Sequence, residues 1–417
     1  MYDTHRIRQH FLAFDCPDDS GQLPIFFDGP GGSQVPKMVT DAMSDYLGKH
    51  HSNMGGFAHA GRYTTAINTK AREMAGLWLG CEAEQVVFGL NATSLMFQFS
   101  RVLAQTWQVG DNIVVSQIDH FSNVSSWQTA AQDKGVEVRH IPLNACGDAL
   151  DLSCLEQLVD ERTRLVAVSL ASNVLGTRTD IKPIIERANS VNAHVAIDAV
   201  HAIVHEKIDA TQLNCDLLFA SSYKLGGAHL GMAYASKRVL ELPAYKVEPA
   251  TQVRPFAFEQ GTQSFEGQAA FIALMEYWAS LADEGDCLTT RLAQAYDKVQ
   301  NHERSLSEMF LSDANARDYI KLYGKNDSTN RTPTFAFNLV KDQQILSPTK
   351  ISQWLGEKNI ALPSGNFYAL DVVRHLGLLE CGFLRVGFLH YTNEHEIKRL
   401  FELLDEYIMQ VECADAL

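Results

Sequence analysis

From about residue 86 the chain alternates short apolar runs with amphipathic stretches. Val86-Val87-Phe88, Ile113-Val114-Val115, Val136–Ile141, Leu165–Ala171, Val195–Asp198 and Asp216–Ala220 are too short for helices and rich in β-branched residues, so they read as buried strands. Between them, helical periodicity runs from Thr93 to about Thr106, near Asn123–Asp133 and near Ile181–Val191. Such alternation predicts an α/β domain with a mostly parallel sheet. Longer amphipathic segments near Phe265–Leu281 and Leu288–Phe310 interrupt the rhythm. Phe335–Leu339, Leu384–Leu389 and a helix near Glu394–Met409 then predict a smaller α+β unit. The expected organisation is an N-terminal segment (1–33) packing on the small domain, a large domain (34–285) and a small C-terminal domain (286–417).

Composition narrows the class. A chain of 417 residues that is 46% hydrophobic can bury a sizeable core and exceeds one ordinary domain. Its net charge of -15 argues against a nucleic-acid or membrane-surface partner. No stretch is long and apolar enough to span a bilayer, and the start lacks the pattern of a signal peptide, so a cytoplasmic protein is expected. The 8 cysteines are scattered without a C-x-x-C pair, which argues against a zinc site or a disulfide scaffold. No metal is expected.

The candidate chemistry starts at Lys224, which follows the run Asp216–Ala220 in a small, polar, Gly-rich turn. Asp198 ends the preceding strand-like run, and two parallel strands would place both residues on one carboxyl-end rim. An amine able to form a Schiff base and an acid able to face a ring nitrogen are what pyridoxal phosphate requires. Each residue also has an ordinary use, as a solvated loop cation or a turn-capping carboxylate. Gly89-Leu90-Asn91-Ala92-Thr93-Ser94 joins a strand to a helix, so the N–H groups around Ala92 and Thr93 would point at an anion, with hydroxyls of Thr93 and Ser221 alongside. Asn91 or Thr93 would equally serve as a plain helix cap. His120, after Ile113–Val115, falls at the same rim, where a flat ring can stack on a cofactor or act as a capping group.

Taken together, Phe27-Asp28-Gly29-Pro30-Gly31-Gly32, Ser116-Gln117-Ile118-Asp119-His120, Ala171–Thr177, Asp198-Ala199-Val200-His201-Ala202, Ser221-Ser222-Tyr223-Lys224 and Phe258-Glu259-Gln260-Gly261-Thr262 resemble the class V aminotransferase family of fold type I pyridoxal phosphate enzymes. The likeness is greatest to its cysteine desulfurase and selenocysteine lyase branch. It implies a large domain with a seven-stranded, mostly parallel sheet plus a small α+β domain, and a homodimer with shared active sites. It further implies that Lys224 carries the cofactor, Asp198 pairs with its ring nitrogen and His120 stacks on the ring. Asn173 and His201 would lie near the ring hydroxyl, Ala92, Thr93 and Ser221 at the phosphate, Thr262 at the phosphate of the other subunit, and Arg385 at the substrate carboxylate. A guanidinium fork suits that bidentate task.

The chain departs from that branch at Ala361–Leu370, which holds no cysteine where desulfurases carry the one that receives sulfur. Pro363 stands near the place of a usual Arg, and Tyr223 stands where desulfurases generally have His. The expected activity is therefore lyase chemistry, β-elimination from a small amino acid, without a protein persulfide on that loop. Transamination and epimerisation use the same lysine and remain alternatives, as does an inactive cofactor-binding partner protein.

Overall fold

The computed structural model describes residues 2–283 and 285–415. Seven strands build the large sheet: β1 (Val86–Gly89), β2 (Asn112–Ser116), β3 (Glu137–Ile141), β4 (Thr163–Ser169), β5 (His194–Asp198), β6 (Leu217–Ser221) and β7 (Gly231–Ala235). Their spatial order is β1-β7-β6-β5-β4-β2-β3. The β6/β5, β5/β4, β4/β2 and β2/β3 pairs are parallel, whereas β7 runs antiparallel to both of its neighbours.

Both faces of this sheet are covered. Val195 and Ile197 of β5 join one core cluster with Val114, Val166 and Leu218, while Ala196 joins the other with Ile113, Leu165 and Phe219. Parallel strands buried on two sides need apolar residues at every position, which is why these runs stand out along the chain. Strand β7 (GMAYA) is just as buried, but its small residues sit in a Gly-rich stretch and give no comparable signal.

The second layer system is a small antiparallel sheet. Thr334–Lys341 pairs with Ile320–Tyr323 on one side and with Phe383–Gly387 on the other. Phe335, Phe337, Leu384 and Val386 pack there with Phe401 and Leu404 of the last helix, Glu394–Asp415. A 28-residue helix, Leu288–Asn315, ties the two units together. Its Leu292, Tyr296 and Val299 belong to the large core, and its Leu306, Phe310 and Leu311 to the small one.

The N-terminal segment is divided in the same way. Phe11 and Phe14 sit in the large core, whereas Ile25–Phe26 pairs with Ile360–Ala361 and Phe27 is buried in the small core. Residues 28–32 are thereby carried across the junction, directly over the rim of the large sheet.

Candidate active site

Parallel strands bring their carboxyl ends to one edge, and five segments leave this sheet there. β1 leads to Asn91, Ala92 and Thr93; β2 to His120; β4 to Asn173; β5 to His201; β6 to Lys224. Together with Pro30, Asp198, Ser221 and Tyr223 they line a cavity of about 110 Å³. Of the sequence-derived candidates, Lys224, His120, Asp198, Ala92, Thr93, Asn173, His201 and Ser221 therefore meet in one place.

Lys224 is buried, 8% exposed, in the short turn Ser222–Leu225. Trp278 braces that turn by donating from Nε1 to the Leu225 carbonyl at 3.1 Å. Lys224 Nζ donates to the carbonyl of Pro30, in the N-terminal turn above the rim. Burial, reinforced by the positive charge of Arg385, lowers the ammonium pKa to about 8, with Asp28 and Asp198 opposing. A pKa that low leaves a share of free amine near neutral pH, which a Schiff-base lysine needs.

Asp198 ends β5 and accepts from the Val200 N–H at 2.9 Å. Burial pushes its carboxyl up to about 7; the Val200 hydrogen bond and Lys224 resist, and the charge of Asp119 adds to the rise. Asp119 is itself pushed up to about 6 by burial, although Ser116, Ser169 and Asn123 all donate to it. Ser169 is the register partner of Asp198 across the β4/β5 pair, so the two carboxylates are coupled through adjacent strands. Asn123 in turn accepts from Trp127 Nε1 at 2.9 Å, completing a buried polar network under His120.

The backbone N–H of Ser122 donates to His120 Nδ1 at 3.1 Å, which leaves Nε2 as the ring's proton-bearing nitrogen and fixes the plane of the imidazole. Burial, with Lys224 and Arg385 nearby, lowers its pKa to about 4, so the ring is neutral at physiological pH. Asn173 Nδ2 donates to the Phe367 carbonyl at 2.9 Å, and its buried Oδ1 has no partner among the described residues. His201 Nε2 faces the hydroxyls of Thr332 at 2.9 Å and Thr334 at 3.3 Å.

The anion cradle forms where the helix Ala92–Leu103 begins. Asn91 caps it by accepting from Ser94 N, while Ser94 Oγ accepts from Asn91 N. The first-turn N–H groups of Ala92 and Thr93 have no acceptor within the helix. Gly231, at the start of β7, permits this approach: a Cβ there would lie 2.4–2.7 Å from the Asn91 backbone. These residues fit pyridoxal phosphate: amide donors for the phosphate, a carboxyl for the ring nitrogen, a neutral ring for its face, an unpaired buried acceptor for its hydroxyl and a depressed lysine for its aldehyde.

Arg385 and Thr262 lie outside that cavity lining. Arg385 is buried, 4% exposed, in the strand Phe383–Gly387, and its Nη2 donates to Asp28 Oδ1 at 2.6 Å. Nη1 donates to the Asn173 carbonyl at 3.2 Å, which ties the guanidinium to the cavity wall, and its Cζ lies 3.9 Å from the centre of the Phe367 ring. Thr262 lines a broader open cleft of about 920 Å³, which shares Asn91 and Thr93 with the cavity. Sequence reasoning gave Asp28 and Asp119 no role. Both stood inside recognised stretches, but Arg385, the partner of Asp28, is 357 residues away and Ser169, one of the three donors to Asp119, is 50 residues away.

The Aminotransferase class-V family model matches residues 25–400. A curated cysteine desulfurase of Dickeya dadantii (strain 3937) is 28% identical over 404 residues, covering 96% of this chain and 95% of the relative. A probable cysteine desulfurase of Pseudomonas putida is 28% identical over 400 residues, covering 92% of this chain and 94% of the relative. Among solved structures, the cysteine desulfurase CsdA from Escherichia coli, in an S-sulfonic acid form, superimposes with a TM-score of 0.84 at 23% identity over 98% of this chain and 99% of that one. The apo cysteine desulfurase from Thermococcus onnurineus NA1 gives 0.86 at 23% identity over the same shares. At that identity the two structures carry the fold alone.

Proposed function

The chain belongs to the class-V aminotransferase family and has the fold type I architecture, and from that premise we propose that it is a pyridoxal phosphate-dependent lyase. Its substrate would be a small amino acid bearing a leaving group on its β-carbon, with cysteine and selenocysteine as first candidates. The observation that carries the reading is the meeting of a lysine lowered to about 8 and a carboxyl raised to about 7 in one buried cavity at the strand ends. Oppositely shifted groups in a cleft are the mark of a reactive site. The curated relatives named above as cysteine desulfurases support the substrate class.

Lys224 Nζ would hold the cofactor aldehyde, Asp198 the ring nitrogen and His120 the ring face. Asn173 and His201 would meet the ring hydroxyl, and Ala92, Thr93 and Ser221 the phosphate. When bound, the cofactor supplies an electron sink for the bond broken at the substrate α-carbon. Lys224 Nζ would be the base placed to take the substrate α-proton. Arg385 would orient the substrate through its carboxylate. Thr262 would serve the site of a second copy across the wide cleft, making the enzyme a homodimer.

No cysteine lies in 361–370, and the hydroxyls of Ser364 and Tyr368 cannot hold sulfane sulfur. Sulfur would therefore leave as free sulfide or pass directly to an added thiol. The test incubates cofactor-loaded protein with cysteine, selenocysteine and O-substituted serines. Pyruvate, ammonia and the leaving group in equal amounts are expected, or alanine with sulfur on the added thiol. Keto-acid formation dependent on a second keto acid, or loss of chirality alone, overturns the lyase reading. Borohydride reduction and peptide mapping should place the pyridoxyl group on Lys224; label on another lysine overturns the site.

A further inference from the structure

The turn Asp28–Gly31 satisfies both cations of the site at once. The Pro30 carbonyl accepts from Lys224 Nζ, and the Asp28 carboxylate pairs with Arg385 at 2.6 Å. The turn is held from both sides: Gly31 N and Gly32 N donate to the Asp28 carbonyl at 2.9 and 3.0 Å, and Gly387 N donates to the Phe27 carbonyl at 2.7 Å. Arg385 cannot leave, since its side chain is 4% exposed, packed on Phe367 and bonded to Asn173. Asp28 can, because its side chain is 40% exposed.

We propose that Asp28 is an internal competitor for the substrate carboxylate, neutralising Arg385 in the resting protein and swinging out to water when an amino acid arrives. This rests on the reading of Arg385 as the carboxylate site. Asp28 then sets the threshold for occupancy: every carboxylate must first displace the one already in place, so only those that pair strongly with Arg385 fill the site at low concentration. A buried guanidinium left without a partner is costly, so the aspartate also protects the resting fold.

Gly31 gives an independent handle. A Cβ built there would lie 2.1–2.4 Å from the Asp28 carboxyl group, whose three atoms are its nearest contacts. The carboxylate is the flexible end of that contact, so Gly31→Ala should push it off Arg385 without altering charge.

The experiment titrates cofactor-loaded wild type, Asp28→Asn and Gly31→Ala with propionate, a carboxylate that lacks an amino group, and with alanine. Calorimetry reads the first and cofactor absorbance the second. If the competent, unpaired Arg385 is the minor state in the resting protein, both variants should bind propionate about ten-fold tighter or more. The predicted change for alanine is in the same direction. Equal or weaker propionate binding in both variants, with alanine still perturbing the cofactor, overturns the competitor role and leaves the proposed function standing. Tightening in Asp28→Asn alone also overturns it, since net charge and not occupancy would then be the cause. Absence of any response to alanine or propionate in all three proteins removes both readings.

Discussion

Asp198 and Asp119 are two carboxyls at the same rim of the sheet, on strands separated by β4, both raised by burial, to about 7 and about 6. A buried carboxyl with a raised pKa holds a proton that the unfolded chain releases. Its contribution to stability is present below about pH 4 and is lost as pH rises toward about 7. His120, lowered to about 4, acts in the opposite sense: its contribution is present above about pH 6.5 and is lost as pH falls. Comparing cofactor-free wild type with Asp198→Asn cancels the His120 contribution. The variant should gain stability relative to wild type as pH rises from about 4 to about 7, on the order of a few kcal/mol, read from denaturant midpoints. A difference that is flat with pH would mean that Asp198 is ionised at no cost. With cofactor bound, the same substitution would remove the partner proposed for the protonated ring nitrogen and should slow turnover on the order of a hundredfold or more.

Cys381 is the thiol nearest in sequence to the cysteine-free loop, four positions before Arg385. It packs against the cluster of Ile118, Leu143 and Phe383, and the following residue, Gly382, accepts from Asn338 Nδ2 at 3.0 Å through its carbonyl. A thiol packed into that cluster, next to an anchored backbone, is poorly placed to serve as a mobile sulfur acceptor. Cys381→Ser should therefore keep its activity on cysteine, and intact-mass spectrometry after a cysteine pulse should find no stoichiometric persulfide there. Activity and persulfide lost together would return sulfur relay to this residue.

At the scale of elements, the site hangs on the junction between β1, the capped helix and β7. Asn91→Ala removes the side-chain acceptor for Ser94 N and should cost about 1 kcal/mol of stability. Gly231→Ala strikes the same junction from the other side, since its Cβ would overlap the Asn91 backbone, which cannot swing away as a side chain can. Cofactor affinity should fall in both, further in Gly231→Ala, as measured by equilibrium dialysis; unchanged affinity in both would remove the phosphate from this helix start. The parallel strands and their rim were legible in the sequence because two-sided burial writes unbroken apolar runs. The strand Gly231–Ala235 and the helix His59–Leu79 were not. The former consists of small residues in a Gly-rich stretch, and the latter buries Asn68 and Arg72 among its apolar positions, which blurs the periodicity. At the site, residues followed by chemistry on their own element could be named. Asp28 could not, because its meaning lies in Arg385, 357 residues away.

At the scale of the molecule, the wide cleft next to the cavity is rimmed by exposed Leu90, Tyr245 and Val247, with Phe97 among its walls. Exposed apolar groups gathered beside the cavity fit the proposal that a second copy of the chain covers this surface. Thr262 lines that cleft together with Thr93, outside the cavity that holds Lys224. In a two-fold dimer the same patch meets itself, and each Thr262 would complete the partner's cradle. Sharing of this kind has a signature that no monomer reproduces. Lys224→Ala destroys the site of its own chain, whereas Thr262→Glu, by setting a carboxylate against a phosphate, would disable the site of the other. Neither variant alone should turn over substrate. Unfolded together and refolded as a mixture, they form heterodimers in which one of the two sites has both residues intact, so activity should return to about a quarter of wild type. A mixture as inactive as its parts, in protein that sediments as a dimer, would place Thr262 in its own chain's site and end the shared-site arrangement.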